Sequence, residues 1–184
     1  MNEVLTLNLS RNATRAYIYA DLLDQLSKTE RIKVRNALEE LAIPYEHHHD
    51  LSAVTQRIDL LQVSPRVKHD ALCIYRILAE AEAQVHGCSV ESTHFHEVGK
   101  GEAIENVMGI CLAVEALNPQ RIQASAVQTG CGKVECAHGI LDIPAPATAA
   151  ILSKGIPLVE EKLEGELCTP TSAAVIYHFV DEFI

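Results

Sequence analysis

The sequence predicts an α+β fold, with a helical front half followed by a smaller mixed α/β back half. Two observations carry that expectation. Apolar residues recur at helical spacing over residues 14–42, 50–62, 64–86 and 103–117. Alternation at strand spacing is confined to short stretches, one at residues 4–9 and the others at 122–129, 133–143 and 157–161. No repeat, low-complexity linker or composition break divides the chain, so residues 1–184 read as a single domain.

Each element has its own signal. Residues 4–9 alternate apolar and polar and read as a strand. In the helical run over 14–42, Leu22, Leu23 and Leu26 share one face and Val34, Leu38 and Leu41 another, and Pro44 ends the run. Asp50 suits the N-cap of the next helix. Ser64 with Pro65 is a stronger start signal, because the missing N–H of proline costs nothing at the first helical position. That helix should run through Ala71, Ile74 and Leu78 and stop at Gly87. A further helix closes at Asn118 and Pro119. The strand at 122–129 should turn at Gly130 and Gly132 and return over 133–143. Pro144 and Pro146 open a helix that Gly155 ends, a strand follows at 157–161, and Thr169 with Pro170 starts the last helix.

Composition narrows the function classes. The chain has 184 residues with 25 Asp plus Glu against 15 Lys plus Arg, a net charge of -10. Nucleic-acid binding needs clustered cations, so it is not expected. No run approaches the roughly 20 apolar residues of a membrane span, and no targeting segment opens the chain, so a cytoplasmic protein is expected. The six cysteines are scattered and read as free thiols, buried or metal-binding.

Four segments carry chemistry. In His94-Phe95-His96-Glu97-Val98-Gly99, an extended backbone puts His94 and His96 on one side and turns Phe95 inward. Imidazole and carboxylate suit nickel, zinc, copper or iron; the competing reading is two histidines on an exposed strand face. Gly130-Cys131-Gly132 through Cys136-Ala137-His138-Gly139 allows a ligand to approach the backbone closely and offers Cys131, Cys136 and His138 as donors. The same glycines also suit a plain tight hairpin. At Thr169-Pro170-Thr171-Ser172 the free N–H groups of a helix start, with the Thr169, Thr171 and Ser172 hydroxyls, suit an anion such as phosphate. Simple capping is the alternative there. His47, His48 and His49 before Asp50 form a loose metal-capture run or a solvated connection.

Taken in this order, these segments resemble one family, the LarC-type nickel-insertion proteins that mature the nickel-pincer cofactor of lactate racemase. The resemblance rests on His94-Phe95-His96-Glu97-Val98-Gly99, on Gly130, Gly132, His138 and Gly139, on Pro144-Ala145-Pro146-Ala147-Thr148, and on Glu166, Thr169-Pro170-Thr171 and Ala173-Ala174. The stretch from Val67 to Gly87 resembles the helix before the family's His-Phe-His-Glu. It implies nickel as the metal, with His94, His96, Glu97, His138 and the His47–His49 run as candidate metal ligands. It implies Gly130, Gly132, Thr169 and Thr171 as contacts to the nickel-pincer mononucleotide precursor. Assembly as a homo-oligomer is also expected.

The sequence also departs from the family's pattern. Asn8 and Ala16 stand where the family has Asp, the loop Arg11-Asn12-Ala13-Thr14-Arg15 has no glycine, and Glu102 and Asn106 replace two Asp on the helix after Gly99. Ser172 and Asp142 replace a usual Gly and Pro. The resemblance covers the family's amino-terminal part, without the carboxy-terminal CTP-binding domain. The leading expectation is therefore a nickel-binding or nickel-insertion protein, acting as an amino-terminal subunit. Its CTP-dependent insertion would need a separately encoded carboxy-terminal half. The alternative is a non-catalytic metal-binding or scaffolding paralogue. A nucleotide enzyme unrelated to nickel ranks last, since neither a P-loop nor a dinucleotide fingerprint is present.

Overall fold

The computed structural model describes residues 3–41, 49–95, 101–136 and 139–184, with the backbone alone for His49 and Gly101. Strand β1 (Val4–Leu7) leads to α1 (Arg15–Gln25), whose N-cap Thr14 accepts a hydrogen bond from the Tyr17 N–H. A second helix, α2 (Lys28–Glu40), starts at Ser27, which forms a reciprocal capping box with Glu30. The single helical run expected over 14–42 is thus two helices. The Ser27-x-x-Glu30 pattern satisfies the start of a new helix and lets the chain turn at Leu26.

Then come β2 (His49–Asp50) and α3 (Leu51–Leu60), capped by Asp50, which accepts the Ala53 N–H at 2.7 Å. The long helix α4 (Pro65–His86) starts at Ser64 and ends at Gly87, which takes the left-handed φ of 65° that favours glycine. After it stand β3 (His94–Phe95), α5 (Gly101–Leu117) and β4 (Arg121–Ala124). Short pieces follow: β5 (Gly130–Cys131), β6 (Lys133–Cys136), β7 (Gly139–Asp142) and α6 (Pro146–Leu152). The described chain closes with β8 (Gly165–Glu166), α7 (Pro170–Phe179) and β9 (Glu182–Phe183).

Three strand expectations are corrected. β4 does not pair with the segment after Gly132. It lies between β1 and β9, parallel to both, with Leu5 opposite Ile122 and Leu7 opposite Ala124. The segment expected as one returning strand over 133–143 is a hairpin of its own, β6 against β7, with Lys133 opposite Asp142 and Cys136 opposite Gly139. Gly139, with φ 95°, allows that reversal. The strand expected at 157–161 reduces to a single bridge between Val127 and Leu158, since Pro157 brings no N–H to a ladder.

The α+β class holds, and the two halves share one core. The parallel sheet joins β1 of the front half to β4 and β9 of the back half. Helix α4 packs against α3, α5, α6 and α7 and buries Ala71, Ile74, Tyr75 and Leu78 completely. Helix α5 is buried nearly all round, through Ile104, Val107, Met108, Ile110, Cys111 and Ala113, as expected of a helix without a polar face. At Gly109 a Cβ would lie 3.0 Å from the Tyr19 ring, so that glycine sets how closely α1 approaches α5. Among the described residues, no helix is long and apolar enough to cross a membrane.

Candidate ligand cleft

Helix starts converge on one cleft of about 620 Å³. Thr14, Arg15 and Ala16 reach it from the start of α1, Glu102 and Asn106 from the first turns of α5, and Thr169, Pro170 and Thr171 from the start of α7. The loop into α1 is tied to the loop into α7 by the Ala13 N–H, which donates to the Leu167 carbonyl at 2.8 Å. Glu82, Val85 and His86 line it from the last turns of α4. Glu166, then Val134, Cys136 and Leu141 from the β6–β7 hairpin, and Ala145, Pro146 and Ala147 from the start of α6 complete the lining.

The cleft is lined by groups of both signs. The starts of α1, α5 and α7 bring the positive ends of their dipoles to it, and Arg15 adds a full charge. The α4 wall ends in the negative pole of that helix and carries Glu82, whose carboxylate lies 3.4 Å from His86 Nε2. Glu102 spans the two, with its carboxylate 3.8 Å from Arg15. An anion and a cation can therefore be held side by side.

The helix starts are not equally satisfied. Thr169 Oγ1 accepts the Ser172 N–H and Ser172 Oγ accepts the Thr169 N–H at 2.8 Å, a reciprocal capping box. The Ser172 hydroxyl also donates to Cys168 Sγ at 3.6 Å. Burial, opposed by that hydrogen bond, pushes the Cys168 thiol up to about 11. Thr171 differs. Its hydroxyl is fully buried and has no hydrogen-bond partner among the described residues.

Of the residues expected from sequence, Thr169 and Thr171 lie on this cleft. Gly130 and Gly132 do not line it. Gly130 is buried beside β8, where a Cβ would stand 1.8 Å from the Gly165 carbonyl oxygen, so the protein's own backbone fills the space the missing side chain leaves. Gly132, at φ 102°, turns the chain into the hairpin and accepts the Ile143 N–H through its carbonyl. Cys136 lines the cleft and Cys131 does not, so the two thiols part company. Among the described residues, no group of three His, Cys, Asp or Glu side chains is placed to hold a metal ion.

The histidine segments are brought together in a way the sequence does not reveal. β2 pairs antiparallel with β3, setting His49 opposite Phe95 and Asp50 opposite His94. As expected, His94 is exposed while Phe95 is buried, edge-on to Tyr75 at 5.8 Å between ring centroids. His47, His48, His96, Glu97 and His138, and the side chain of His49, lie outside the described residues. The sequence reading missed Arg15 and the Glu82–His86 pair. The pair had a signal, because acid and imidazole four apart share a helix face.

Comparison with known proteins places the chain. Residues 10–184 match the family model described as nickel insertion protein. Over 159 residues the chain is 43% identical to the pyridinium-3,5-bisthiocarboxylic acid mononucleotide nickel insertion protein of Staphylococcus saprophyticus, covering 84% of this chain and 40% of that protein. It is 39% identical over 166 residues to the protein of the same name from Staphylococcus epidermidis, covering 88% of this chain and 42% of that one. The Desulfitobacterium hafniense protein of that name is 40% identical over 136 residues, 74% of this chain and 34% of its own length. The chain spans less than half the length of these relatives. No solved structure matches it.

Proposed function

The chain belongs to the nickel insertion protein family, and on that premise we propose that it collects nickel and holds the pincer mononucleotide precursor during its metallation. Nickel is here the cargo. The single observation that supports this reading best is the cleft lined both by helix N-termini with Arg15 and by Glu82 with His86. A nickel-loaded mononucleotide presents the matching pair, a phosphate and a divalent cation. Carboxylate and imidazole are hard to borderline donors, able to hold nickel and yield it to the softer sulfur ligands of the precursor. His94, His96 and Glu97 immediately precede α5 in the sequence, and the first turn of that helix bears Glu102 on the cleft wall. They would capture the metal, with His138 and the His47–His49 run as further ligands.

In this reading the chain works in the cytoplasm as a homo-oligomer. CTP-dependent insertion also draws on a complementary carboxy-terminal half. The test is a calorimetric titration of the metal-free protein with nickel, beside a His94→Ala/His96→Ala variant. Stoichiometric binding that the double substitution removes supports the reading. No binding to the unsubstituted protein defeats it.

A second reading, a non-catalytic relative that binds metal or acts as a scaffold, is favoured by one observation. Ala16, Glu102 and Asn106, three of the positions where the sequence departs from the family's Asp residues, all line the cleft. Adding a complementary carboxy-terminal protein, CTP, nickel and precursor separates the two readings. Metallated cofactor supports the first, and nickel binding without product supports the second.

A further inference from the structure

The buried hydroxyl of Thr171 is the feature of the cleft that the protein's own contacts leave unexplained. A hydroxyl removed from water without a partner costs free energy, so native structures rarely leave one. Thr171 is fully buried, lines the cleft, and finds no partner for Oγ1 among the described residues. Its backbone N–H stands at the second helical position of α7. The carbonyl four residues back, that of Leu167, lies outside the helix and accepts from Ala13. Pro170 has no N–H to offer, and the Ser172 N–H is taken by Thr169. One residue of the cleft lining thus carries two donors, backbone and side chain.

The start of α1 adds positive charge beside that of α7. The Ala13–Leu167 hydrogen bond sets the N-terminus of α1 beside that of α7, and Arg15 at the start of α1 lines the cleft. Two helix N-termini, a guanidinium and an unpartnered hydroxyl together suit a multiply charged oxyanion. The carboxylates Glu82, Glu102 and Glu166 also line the cleft, and they would repel a bare anion left without a counter-ion.

We infer that the start of α7 is the seat of a phosphate monoester, held by the Thr171 hydroxyl and N–H and faced by Arg15. The inference rests on the ligand reading of the cleft given above and adds which end of the mononucleotide is gripped and by what. The remainder of such a ligand then extends toward Glu82 and His86, where the carboxylates can serve a cation and no longer oppose the phosphate.

The test compares nicotinate mononucleotide with its dephosphorylated riboside, by calorimetry on the unsubstituted chain and on Thr171→Val, Thr171→Ser and Arg15→Gln. The unsubstituted protein should bind the mononucleotide at least about tenfold more tightly than the riboside, the scale of a hydrogen bond to a charged group. Thr171→Val should lose about that factor for the mononucleotide and nothing for the riboside, and Thr171→Ser should restore it. Arg15→Gln should weaken the mononucleotide and flatten its salt dependence. Without ligand, Thr171→Val should melt no lower than the original, because a methyl replaces a hydroxyl that has no partner. Equal binding of nucleotide and riboside, no binding of either, indifference to Thr171→Val, or a lower melting temperature would each overturn the phosphate seat. Nickel titration of the same samples reports separately. Nickel binding with no effect at Thr171 overturns the seat alone, whereas Thr171-dependent nucleotide binding without nickel binding overturns the nickel reading alone.

Discussion

The middle and the end of α4 lie in different surroundings. From Ala71 to Leu78 one face of the helix packs among four other helices, with Ile74 and Tyr75 fully buried, while Arg76 stays exposed. Its last turns, with Glu82 and His86, open onto the cleft and carry charge. The buried face of the first region is apolar and does not line the cleft. The second shares the cleft with carboxylates, an arginine and helix starts. The packing residues and the cleft-lining residues of one helix are therefore distinct, and they can be substituted separately.

The largest effect should come where the two are joined. Gly130 pairs with Glu166, so it braces the strand that leads into α7. Alanine there would force a Cβ to 1.8 Å from the Gly165 carbonyl at a φ of 78°. Overpacking together with the left-handed penalty should cost about 3–5 kcal/mol. Denaturant unfolding should show that loss, and ligand affinity should fall with it, because Glu166 and the start of α7 must shift. Unchanged affinity would show that the cleft does not depend on this brace.

A core substitution should sharpen the contrast. Ile74→Ala removes a fully buried side chain from the middle of α4 and should cost about 2–4 kcal/mol, with the spread set by how far the cavity closes. Nickel stoichiometry on the folded variant should stay as it was. A lost site would mean that the middle of α4 positions Glu82 and His86 more directly than the packing suggests.

Alkaline pH acts on the cleft side of the comparison through Cys168. Burial raises its thiol from 9.0 to about 11. Between those values the folded state holds a proton that the unfolded chain has released, so stability is full below pH 9 and is lost as pH rises toward 11. The loss attributable to this group is about 2–3 kcal/mol. Burial raises the Cys111 thiol as well, and it adds in the same direction. Cys168→Ala should flatten part of the decline in a pH series of unfolding curves. A curve identical to the unsubstituted chain would remove Cys168 as its source.

The same contrast explains what was legible in the sequence. Helices α3 to α7 were readable because Asp50, Ser64 with Pro65, Gly87, Pro146 and Thr169 with Pro170 act through neighbours within a turn. The break at Ser27 had an equally local signal and was passed over because apolar spacing continues across it. The partners of β4 were not legible, since β1 and β9 come from opposite ends of the chain and periodicity says nothing about pairing. The cleft was half legible for the same reason. Thr169 and Thr171 announced themselves as a helix start, whereas the meeting of Arg15 and Glu102 exists only after folding. The sequence offers Gly130 as a place where a ligand could approach the backbone; in the structure the backbone of Gly165 stands beside it.

The smallest expected effect isolates what a hydroxyl at a helix start is worth when it is already in use. Ser64 Oγ accepts the Val67 N–H at 3.1 Å at the start of α4, and it also bonds the Glu115 carboxylate. Ser64→Ala removes both interactions and should cost about 1 kcal/mol, as for other N-caps. Nothing about ligand binding should change, because neither Ser64 nor Glu115 lines the cleft. Thr171→Val is the mirror case, a helix-start hydroxyl with no partner to lose, whose removal should leave melting intact and weaken the phosphate ligand. Unfolding curves for the two variants, measured with and without mononucleotide, make the distinction directly. If both lose stability alike, the Thr171 hydroxyl is a structural cap and the division between the middle and the end of α4 does not extend to α7. If only Ser64→Ala does, the spare hydroxyl of α7 is held in reserve for a ligand.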